Sequence, residues 1–513
     1  MPKRGDGDVR RFSGWRAVMA ACAVMAACAV SALGAFAPAA SAAELSIVFT
    51  STMADIEPVE GEGGLASLAT LLRTKRAEGN TLFLHGGASL AAGVLSTFDK
   101  GAHMIDLLNE LQPEMMAVTK RDLGFGKDEL TLRSYEARFP FVSANTIDRS
   151  TGKVMEGLEP ASLIDTPVGR IGVVSAISPE LTVQYIVPDI EVRPPAMIAA
   201  EARALRARGA DFVVAILDNS PEAVEALRGE AAIDALLQLS ASGKDMLETD
   251  KGADKSRVFG VHVNVKGSAF VLRLDGDGKA PPALAGAEIV PLAGLPPDPA
   301  MEKRVGVYLA RLSELLDIDI GTTATALDTR RAAVRSGENA FASLIADAMR
   351  GHFNTDAAFI NGGNIRGNRQ YEAGTVLTRR DIQRELPFRD TIIAVPLTGK
   401  ALREALEVSA AGVDNLKGSF LHPSNMTVVY DLKQPAGGRV VSVTVGGKPL
   451  DPEASYSVAL PTYLAQGGDG YGVLKTAGTS SAASGKLLWE IMAQHLTDRG
   501  TVSPRIDGRI TLR

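Results

Sequence analysis

The chain has 513 residues, of which 46% are hydrophobic and 22% are charged, and its formal net charge at pH 7 is −6. This length exceeds what a single hydrophobic core supports and predicts two or three domains. The composition is that of a globular protein and excludes a disordered one, and a mildly acidic chain lacks the basic surface needed to bind a nucleic acid duplex.

The first 42 residues have the pattern of a secretory signal peptide. Basic residues precede a long apolar run that ends in the sequence ASA at 40–42, which is typical of signal cleavage. We expect cleavage there and a periplasmic or secreted protein with no stable membrane span. A membrane anchor and a lipoprotein lipidated on Cys28 remain alternatives. Because Cys22 and Cys28 are the only cysteines, cleavage leaves no disulfide and no Cys-ligated metal.

From residue 44 onward, short apolar strands alternate with helical stretches. The predicted elements are strands at 45–49, 81–84, 115–118, 139–145, 210–217, 258–265 and 269–275, helices at 64–78 and near 102–111, and a hairpin at 161–177. This alternation predicts a layered α/β domain over residues 44–295.

A proline-rich stretch at 291–300 marks the end of that domain. Residues 301–320 have apolar side chains at helical spacing, and we assign 296–322 to a linking helix. A second α/β domain then covers 323–513, with a helix at 340–351 and two glycine-rich loops.

The two glycine-rich loops carry polar groups suited to a ligand. The first, NGGNIRG at 361–367, follows a predicted strand, so a ligand can approach its backbone, and Arg366 can grip a phosphate or carboxylate. The second, QGGDGYG at 466–472, carries Asp469 near Tyr463 and Tyr471, which suits the ribose and base of a nucleoside. Taken singly, each loop is also explained as a tight turn.

Together with ELPFRD at 385–390, these loops resemble the C-terminal domain of the 5′-nucleotidase / 2′,3′-cyclic phosphodiesterase family, in the family's order and at similar separations. RSGENAFASLIADAMR and PLTGKALREALE fit the same domain. GGLASLATLLRTKR, NTLFLHGGASLAAGVLSTFDKG and FPFVSANTIDRSTGK resemble the family's N-terminal metallophosphatase domain. The resemblance covers nearly the whole mature chain and implies a calcineurin-like α/β sandwich, a linking helix and a C-terminal α/β nucleotide-binding domain.

The resemblance also implies a substrate pocket in the second domain. Asn361 and Arg366 would contact the ribose and the phosphate, with Arg335 as a further phosphate ligand, and Asp469 would bind the ribose hydroxyls. Asn364 stands where the family usually has a third glycine, a mild departure because Asn tolerates left-handed backbone angles.

The base would lie between two aromatic rings, those of Phe388 and Tyr463. Tyr463 stands where the family often has Phe. Stacking between two rings gives affinity that tolerates different bases.

The first domain departs from the family at its metal site. The family's chemistry uses two divalent metals held by Asp, His and Asn at successive strand ends. The expected ligand positions carry other residues here: Thr52, Ala54, Ala88, Lys120, Arg121, Asp218, Ser240 and Ser242. We therefore expect no metal, no other cofactor and no catalytic residue in this domain.

Two of these replacements are adjacent cations. Lys120 stands at the position of a metal-ligating Asn and Arg121 at that of the catalytic His. We expect the pair to be neutralised by Asp55, Asp122 and Asp218, or else to bind an anion; a solvated loop is the alternative.

The sequence therefore predicts an exported protein of this family that binds a nucleotide or related phosphate ligand without metal-dependent hydrolysis. One alternative is an active periplasmic 5′-nucleotidase or phosphodiesterase in nucleotide catabolism. Another is a structural or interaction protein in which both pockets are vestigial.

Overall fold

The computed structural model describes residues 43–51, 53, 56, 62–91, 93–178, 187–218, 220–240, 244–251, 256–263, 267–475 and 482–513. The predicted signal segment with both cysteines lies outside these residues, as do Asp55 and the positions Thr52, Ala54 and Ser242. None of the helices in the described part of the chain is long and apolar enough to cross a membrane.

The α-helices of the described chain differ widely in length, from one turn to five. In chain order they are α1 (Leu65–Glu78), α2 (Ser96–Asp99), α3 (Ala102–Leu111), α4 (Lys127–Glu136), α5 (Ile198–Ala207), α6 (Pro221–Leu227), α7 (Pro299–Leu316), α8 (Ala340–Phe353), α9 (Arg379–Glu385), α10 (Gly399–Ala411), α11 (Thr462–Ala465) and α12 (Leu488–Arg499).

The strands fall into an earlier and a later group. The earlier strands are β1 (Ala43–Thr50), β2 (Asn80–His85), β3 (Met115–Ala117), β4 (Phe141–Val142), β5 (Thr146–Asp148), β6 (Leu158–Glu159), β7 (Ala161–Thr166), β8 (Gly169–Ala176), β9 (Ile190–Val192), β10 (Phe212–Leu217), β11 (Ala235–Ser240), β12 (Met246–Lys251), β13 (Ser256–Val263), β14 (Ser268–Gly276) and β15 (Ala283–Pro291). The later strands are β16 (Asp319–Thr323), β17 (Leu327–Asp328), β18 (Ala357–Asn361), β19 (Gln370–Tyr371), β20 (Val376–Thr378), β21 (Thr391–Thr398), β22 (Leu421–Ser424), β23 (Met426–Tyr430), β24 (Val440–Val445), β25 (Lys448–Pro449), β26 (Ser455–Pro461), β27 (Ala482–Leu487), β28 (Thr501–Val502) and β29 (Ile510–Leu512).

The first region is a sandwich of two sheets. One has seven strands in the order β15-β14-β1-β2-β3-β4-β6, and the other has six in the order β12-β13-β11-β10-β8-β7. Alternate residues of β1, such as Ile47 and Phe49, share one buried cluster with Val214 and Ile216 of β10, which places a core between the sheets. Within each sheet the central strands run parallel, so their carboxyl ends meet at one edge, the usual place for a site.

The second region contains a five-stranded sheet of order β22-β18-β26-β21-β27. Strands β18 and β26 are parallel, so the loops that follow Asn361 and Pro461 leave the same edge of the sheet. Strand β21 runs antiparallel to β26, with Ile392 opposite Pro461, so the segment that precedes β21 arrives at that edge too. The topology therefore brings all three motifs of the second domain together.

The linking helix is shorter than predicted. Helix α7 begins after Asp298, whose side chain accepts from the N–H groups of Ala300 and Met301, and it ends at Leu316. Residues 319–322, the end of the predicted linking helix, belong instead to β16 (Asp319–Thr323), because their alternation buries Ile320 against the second domain. Strands β11, β12 and β15 are further elements that the sequence pattern did not indicate.

Candidate functional site

Asp122 is the central polar group at the strand ends of the first domain. Its carboxylate is 1% exposed and accepts hydrogen bonds from the backbone N–H groups of Ala88 (2.8 Å), Ser89 (2.9 Å) and Leu90 (3.0 Å). It also accepts from the N–H and hydroxyl of Thr119, at 2.9 and 2.8 Å. The prediction that Asp122 pairs with Lys120 or Arg121 is wrong, because this carboxylate is fully engaged in closing the loop after β2.

The loop after β2 turns through left-handed backbone to reach that carboxylate. Gly87 has φ +81° and Ala88 has φ +60°, and a side chain on Gly87 would collide with the carbonyl of Ala117. Ala88, at an expected metal-ligand position, thus contributes a backbone donor and holds only a methyl group where a carboxylate would bind a metal.

The two adjacent cations differ in surroundings. Lys120 is half-buried, and its backbone N–H donates to Asp218 Oδ2 at 3.2 Å, so it lies beside one of its predicted acidic partners. Arg121 is exposed, and it pairs with no acid among the residues the structure describes. For Arg121, the alternative of a solvated side chain therefore applies.

Two histidines are buried close to this edge. His85 Nε2 lies 2.7 Å from Ser89 Oγ, and burial, followed by the charge of His262, lowers the pKa of His85 to about 3. His262 Nδ1 lies 2.8 Å from Ser51 Oγ, and burial lowers its pKa as well. Both rings are therefore neutral at physiological pH and serve as buried hydrogen-bonding groups.

The described side chains at this edge do not fit a two-metal centre. Ala88 and Ser240 offer no charged ligand, Asp122 is satisfied by five donors, and Asp218 already accepts from the backbone of Lys120. Over the residues with described positions, no group of three or more His, Cys, Asp or Glu side chains is placed to hold a metal. The described residues therefore do not supply the ligands with which this family's chemistry activates a water on metal, and the positions Thr52, Ala54 and Ser242 lie outside them.

In the second domain, the two glycine-rich loops are joined by hydrogen bonds between predicted ligand residues. Asn361 Nδ2 donates to Asp469 Oδ2 at 2.8 Å and to the carbonyl of Gly418 at 3.3 Å. Asn364 Nδ2 donates to Asn361 Oδ1 at 2.6 Å, which fixes the orientation of the Asn361 amide. The structure thus brings Asn361 and Asp469 together.

Tyr463 completes this chain of contacts. Its hydroxyl donates to Asp469 Oδ1 at 3.1 Å, and burial, with the nearby Asp469 charge, raises the pKa of Tyr463 to about 12. Gly468 lies flat against the ring, since a side chain there would collide with the ring carbons of Tyr463. Asp469 has φ +53° and remains exposed, so its carboxylate faces solvent while it is held by two side chains.

Arg335 lies near two further arginines, Arg331 and Arg366, and near the carboxylate of Asp469. Burial of Arg335, and the charges of Arg331 and Arg366, lower the pKa of Arg335, whereas Asp469 opposes this shift. Arg335 Nη1 donates to the carbonyl of Leu416 at 3.3 Å, and its buried Nε has no partner among the described residues. This concentration of positive charge suits an anionic group.

The second ring, Phe388, is 45% exposed and lies under the guanidinium of Arg366, 5.5 Å from the ring centroid. Asp390, two residues after Phe388, connects this segment to Tyr463: its Oδ1 accepts a hydrogen bond from the Tyr463 N–H at 3.1 Å. Burial raises the pKa of Asp390 to about 7. The two rings therefore stand on linked segments at one edge of the sheet.

Several residues of this site were missed by sequence reasoning. They are Arg331, Glu385, Asp390 and Gly418. Arg331 precedes Arg335 by four residues, and Glu385 and Asp390 lie beside the LPF motif, so their spacing to motif residues was an available signal. Gly418 carries no such signal, because it acts through its carbonyl alone.

The Phe388 segment also contacts the first domain. Arg389 lies over the ring of Phe125 at 4.5 Å, and Gln383 Nε2 donates to Thr97 Oγ1 at 2.9 Å. These residues line a crevice of about 50 Å³ together with Ala91, Gly93, Val94 and Pro387. The segment that carries Phe388 therefore packs against the segments that follow β2 and β3 in the first domain.

Comparison with known proteins gives a consistent result. Residues 319–476 match the family described as "5'-nucleotidase, C-terminal domain". The chain is similar to the snake venom 5′-nucleotidase of Naja atra, with 26% identity over 87% of this chain and 92% of that protein. It is also similar to the 5′-nucleotidase of Homo sapiens, with 25% identity over 92% of each chain.

Among solved structures, the chain is similar to the 5′-nucleotidase precursor from Thermus thermophilus. The TM-score is 0.69 and the identity 25%, and the match covers 91% of this chain and 99% of that chain. The predicted fold class, a calcineurin-like α/β sandwich followed by a C-terminal α/β domain, is confirmed.

Proposed function

Because this chain belongs to the 5′-nucleotidase/phosphoesterase family, we propose that its second domain binds a nucleotide or a related phosphate ligand without hydrolysing it. The observation that carries this proposal is the contact chain Asn361–Asp469–Tyr463 beside Arg335 and Arg366. A carboxylate for ribose hydroxyls, a ring for the base and arginines for phosphate lie together at one sheet edge.

The contrast with the first domain supports binding over hydrolysis. Phosphoester hydrolysis in this family depends on metals that activate water and neutralise the phosphate. At the expected ligand positions Ala88, Lys120 and Arg121 supply an apolar group and two cations in place of metal ligands. A fixed cation can attract a phosphate, but it does not generate a hydroxide nucleophile.

One observation favours a second candidate function, an active 5′-nucleotidase. The similarity to 5′-nucleotidases extends over 87–92% of the chain and so includes the first domain. In either case we propose an exported protein, on the basis of the predicted signal peptide at 1–42.

Isothermal calorimetry with AMP and with adenosine, each with and without EDTA, tests the binding proposal. We expect saturable binding of both ligands that EDTA leaves unchanged. Phe388→Ala or Tyr463→Ala should weaken binding by about 1–3 kcal/mol. Tyr135→Ala, which removes an aromatic ring that is 67% exposed in the first domain, is the matched control and should bind as wild type does.

Three results would contradict the proposal. The absence of any heat of binding at millimolar ligand would favour vestigial pockets. Binding abolished by EDTA would favour a metal-dependent enzyme. Ring variants that bind as tightly as wild type would place the ligand elsewhere in the molecule.

A further inference from the structure

Glu385 is a carboxylate buried completely beneath the Arg366 loop, with 0% exposure. Its Oε2 accepts from the backbone N–H of Gly367 at 3.1 Å. Its Oε1 accepts from the hydroxyls of Thr329 and Tyr371, at 2.9 and 2.8 Å. Burial raises the pKa of this carboxyl group, against the effect of these donors.

The backbone of Glu385 grips the same loop. Its carbonyl accepts from the backbone N–H of Arg366 at 2.8 Å, so two consecutive amides of the loop, those of Arg366 and Gly367, are bound to one residue. A side chain on Gly367 would collide with the Glu385 carboxylate, so the loop lies directly against it. The backbone that carries Arg366 is thus held from below.

Glu385 also belongs to the segment that carries the stacking ring. It is the last residue of α9, three residues before Phe388. The Arg366 guanidinium lies 5.5 Å from the centroid of that ring. One residue therefore links the cation proposed to bind phosphate to the ring proposed to stack on the base.

A carboxylate in such a position is unfavourable for the fold unless its hydrogen bonds are good. Here it has three donors, of which the hydroxyls of Thr329 and Tyr371 bind Oε1 and only the Gly367 amide, which binds Oε2, belongs to the Arg366 loop. Apolar packing would fill the same space without a desolvation penalty. What the carboxylate adds is a fixed position for the Gly367 amide, and therefore for Arg366.

We propose that Glu385 is the positioning residue that sets Arg366 against Phe388 for recognition of the ligand's phosphate. This inference rests on the proposed nucleotide binding and deepens it. It predicts that Glu385 acts on the phosphate-bearing part of the ligand and not on the nucleoside part.

The test compares AMP with adenosine on wild type, Glu385→Leu and Glu385→Gln. We expect Glu385→Leu to lose about tenfold or more in affinity for AMP and less than about twofold for adenosine. We expect Glu385→Gln to retain most of the AMP affinity, because its amide oxygen can still accept from Gly367 while its amino group donates to the two hydroxyls.

Two further variants separate positioning from general stability. Gly367→Ala changes no polar group but pushes the loop off the carboxylate, and it should reproduce the selective loss of AMP affinity. Tyr371→Phe removes a donor on the far side of the same carboxylate, and it should lower stability without changing the ratio of AMP to adenosine affinity.

The outcomes distinguish this inference from the proposed function. If wild type binds AMP but Glu385→Leu loses AMP and adenosine equally, or neither, the inference is overturned and the proposed function stands. If wild type binds neither ligand, the proposed function fails, and amide hydrogen exchange at Arg366 and Gly367 decides. If these two amides exchange as slowly in Glu385→Leu as in wild type, Glu385 does not hold the loop and the positioning role is overturned. If they exchange faster in the variant, the positioning role is supported.

Discussion

The two sheet edges of this molecule each present an acidic residue in a loop, Asp122 after β3 and Asp469 after β26, but the partners of the two carboxylates differ. Asp122 in the first domain is bound by four backbone N–H groups and one hydroxyl and is 1% exposed. Asp469 in the second domain is bound by the side chains of Asn361 and Tyr463 and is exposed. A ligand can take over side-chain contacts, whereas backbone donors are part of the fold.

The partners of the two carboxylates indicate how an acidic residue at the end of a strand can be interpreted. Where backbone amides surround a carboxylate, the residue holds a loop, and its removal should be felt in stability. Where side chains bind an exposed carboxylate beside an arginine, a ligand can approach that carboxylate. The first edge of this protein is of the former kind and the second edge of the latter.

The largest effect that this comparison predicts is on the stability of the first domain. Asp122→Ala leaves four amides and a hydroxyl without their acceptor, so we expect a loss of at least about 3 kcal/mol in the free energy of unfolding. Chemical denaturation measures it, with Asp128→Ala, an exposed acid nearby, as the control that should change stability by less than about 0.5 kcal/mol. An Asp122→Ala protein as stable as its control would mean that this carboxylate is not structural.

The second effect is a pH dependence of stability. His422 is fully buried, and its Nε2 lies 2.9 Å from the carbonyl of Val334, the residue before Arg335. Burial lowers the pKa of His422 from 6.5 to about 4. As pH falls from about 6.5 to about 4 the unfolded chain gains a proton that the folded chain does not. Stability should therefore fall over this window, by roughly 3 kcal/mol, and should lack this dependence above pH 6.5.

Unfolding free energies measured between pH 4 and 8 check the sign. His422→Gln, which can still donate to the carbonyl of Val334, should reduce the slope between pH 4 and 6.5. The part due to buried His85, whose pKa is also lowered, should remain. His352→Gln, a replacement of an exposed histidine in the same domain, should leave that slope close to the wild-type value. A His422→Gln slope equal to that of wild type would show that His422 is protonated in the folded protein.

The smallest effect concerns the two cations of the first edge. In Lys120→Ala/Arg121→Ala the backbone N–H that binds Asp218 remains, Arg121 is exposed and Lys120 is only half-buried. We therefore expect stability to change by no more than about 1 kcal/mol, the usual limit for a surface ion pair. Inorganic phosphate should bind this variant as it binds wild type. Loss of phosphate binding, measured by calorimetry, would identify the pair as an anion site. Both sheet edges would then bind an anion, and the contrast drawn between them would be wrong.

Much of this architecture follows from the sequence. The short apolar runs LSIVF and FVVAIL predicted the buried strands β1 and β10, and the glycine loops indicated where the sheet edge lies. Helix α7 was predicted to be too long because DIDI at 317–320 continues its apolar spacing for one turn. In the structure, residues 319–323 pair with β20 and form a strand. Such pairing is set by residues distant in sequence, which local periodicity does not encode.

The site was predictable only in part, for a similar reason. Asn361, Asp469 and Tyr463 lie in motifs and were named from the sequence, and the structure brings them into contact. The role of Asp122 was misjudged, because its partners are backbone amides of residues 88–90, and backbone direction cannot be read from residue types. Glu385 escaped notice because a buried carboxylate looks like any surface acid in a sequence.

The most direct test of the central claim is a hydrolysis assay on protein that has been shown to bind AMP, with added Mn²⁺, Zn²⁺ or Co²⁺ and with elemental analysis of the same sample. We expect the sample to contain no stoichiometric transition metal and to release phosphate from AMP no faster than buffer alone. About two metal ions per chain, together with turnover near the ~10 s⁻¹ typical of enzymes, would contradict it and would establish an active nucleotidase.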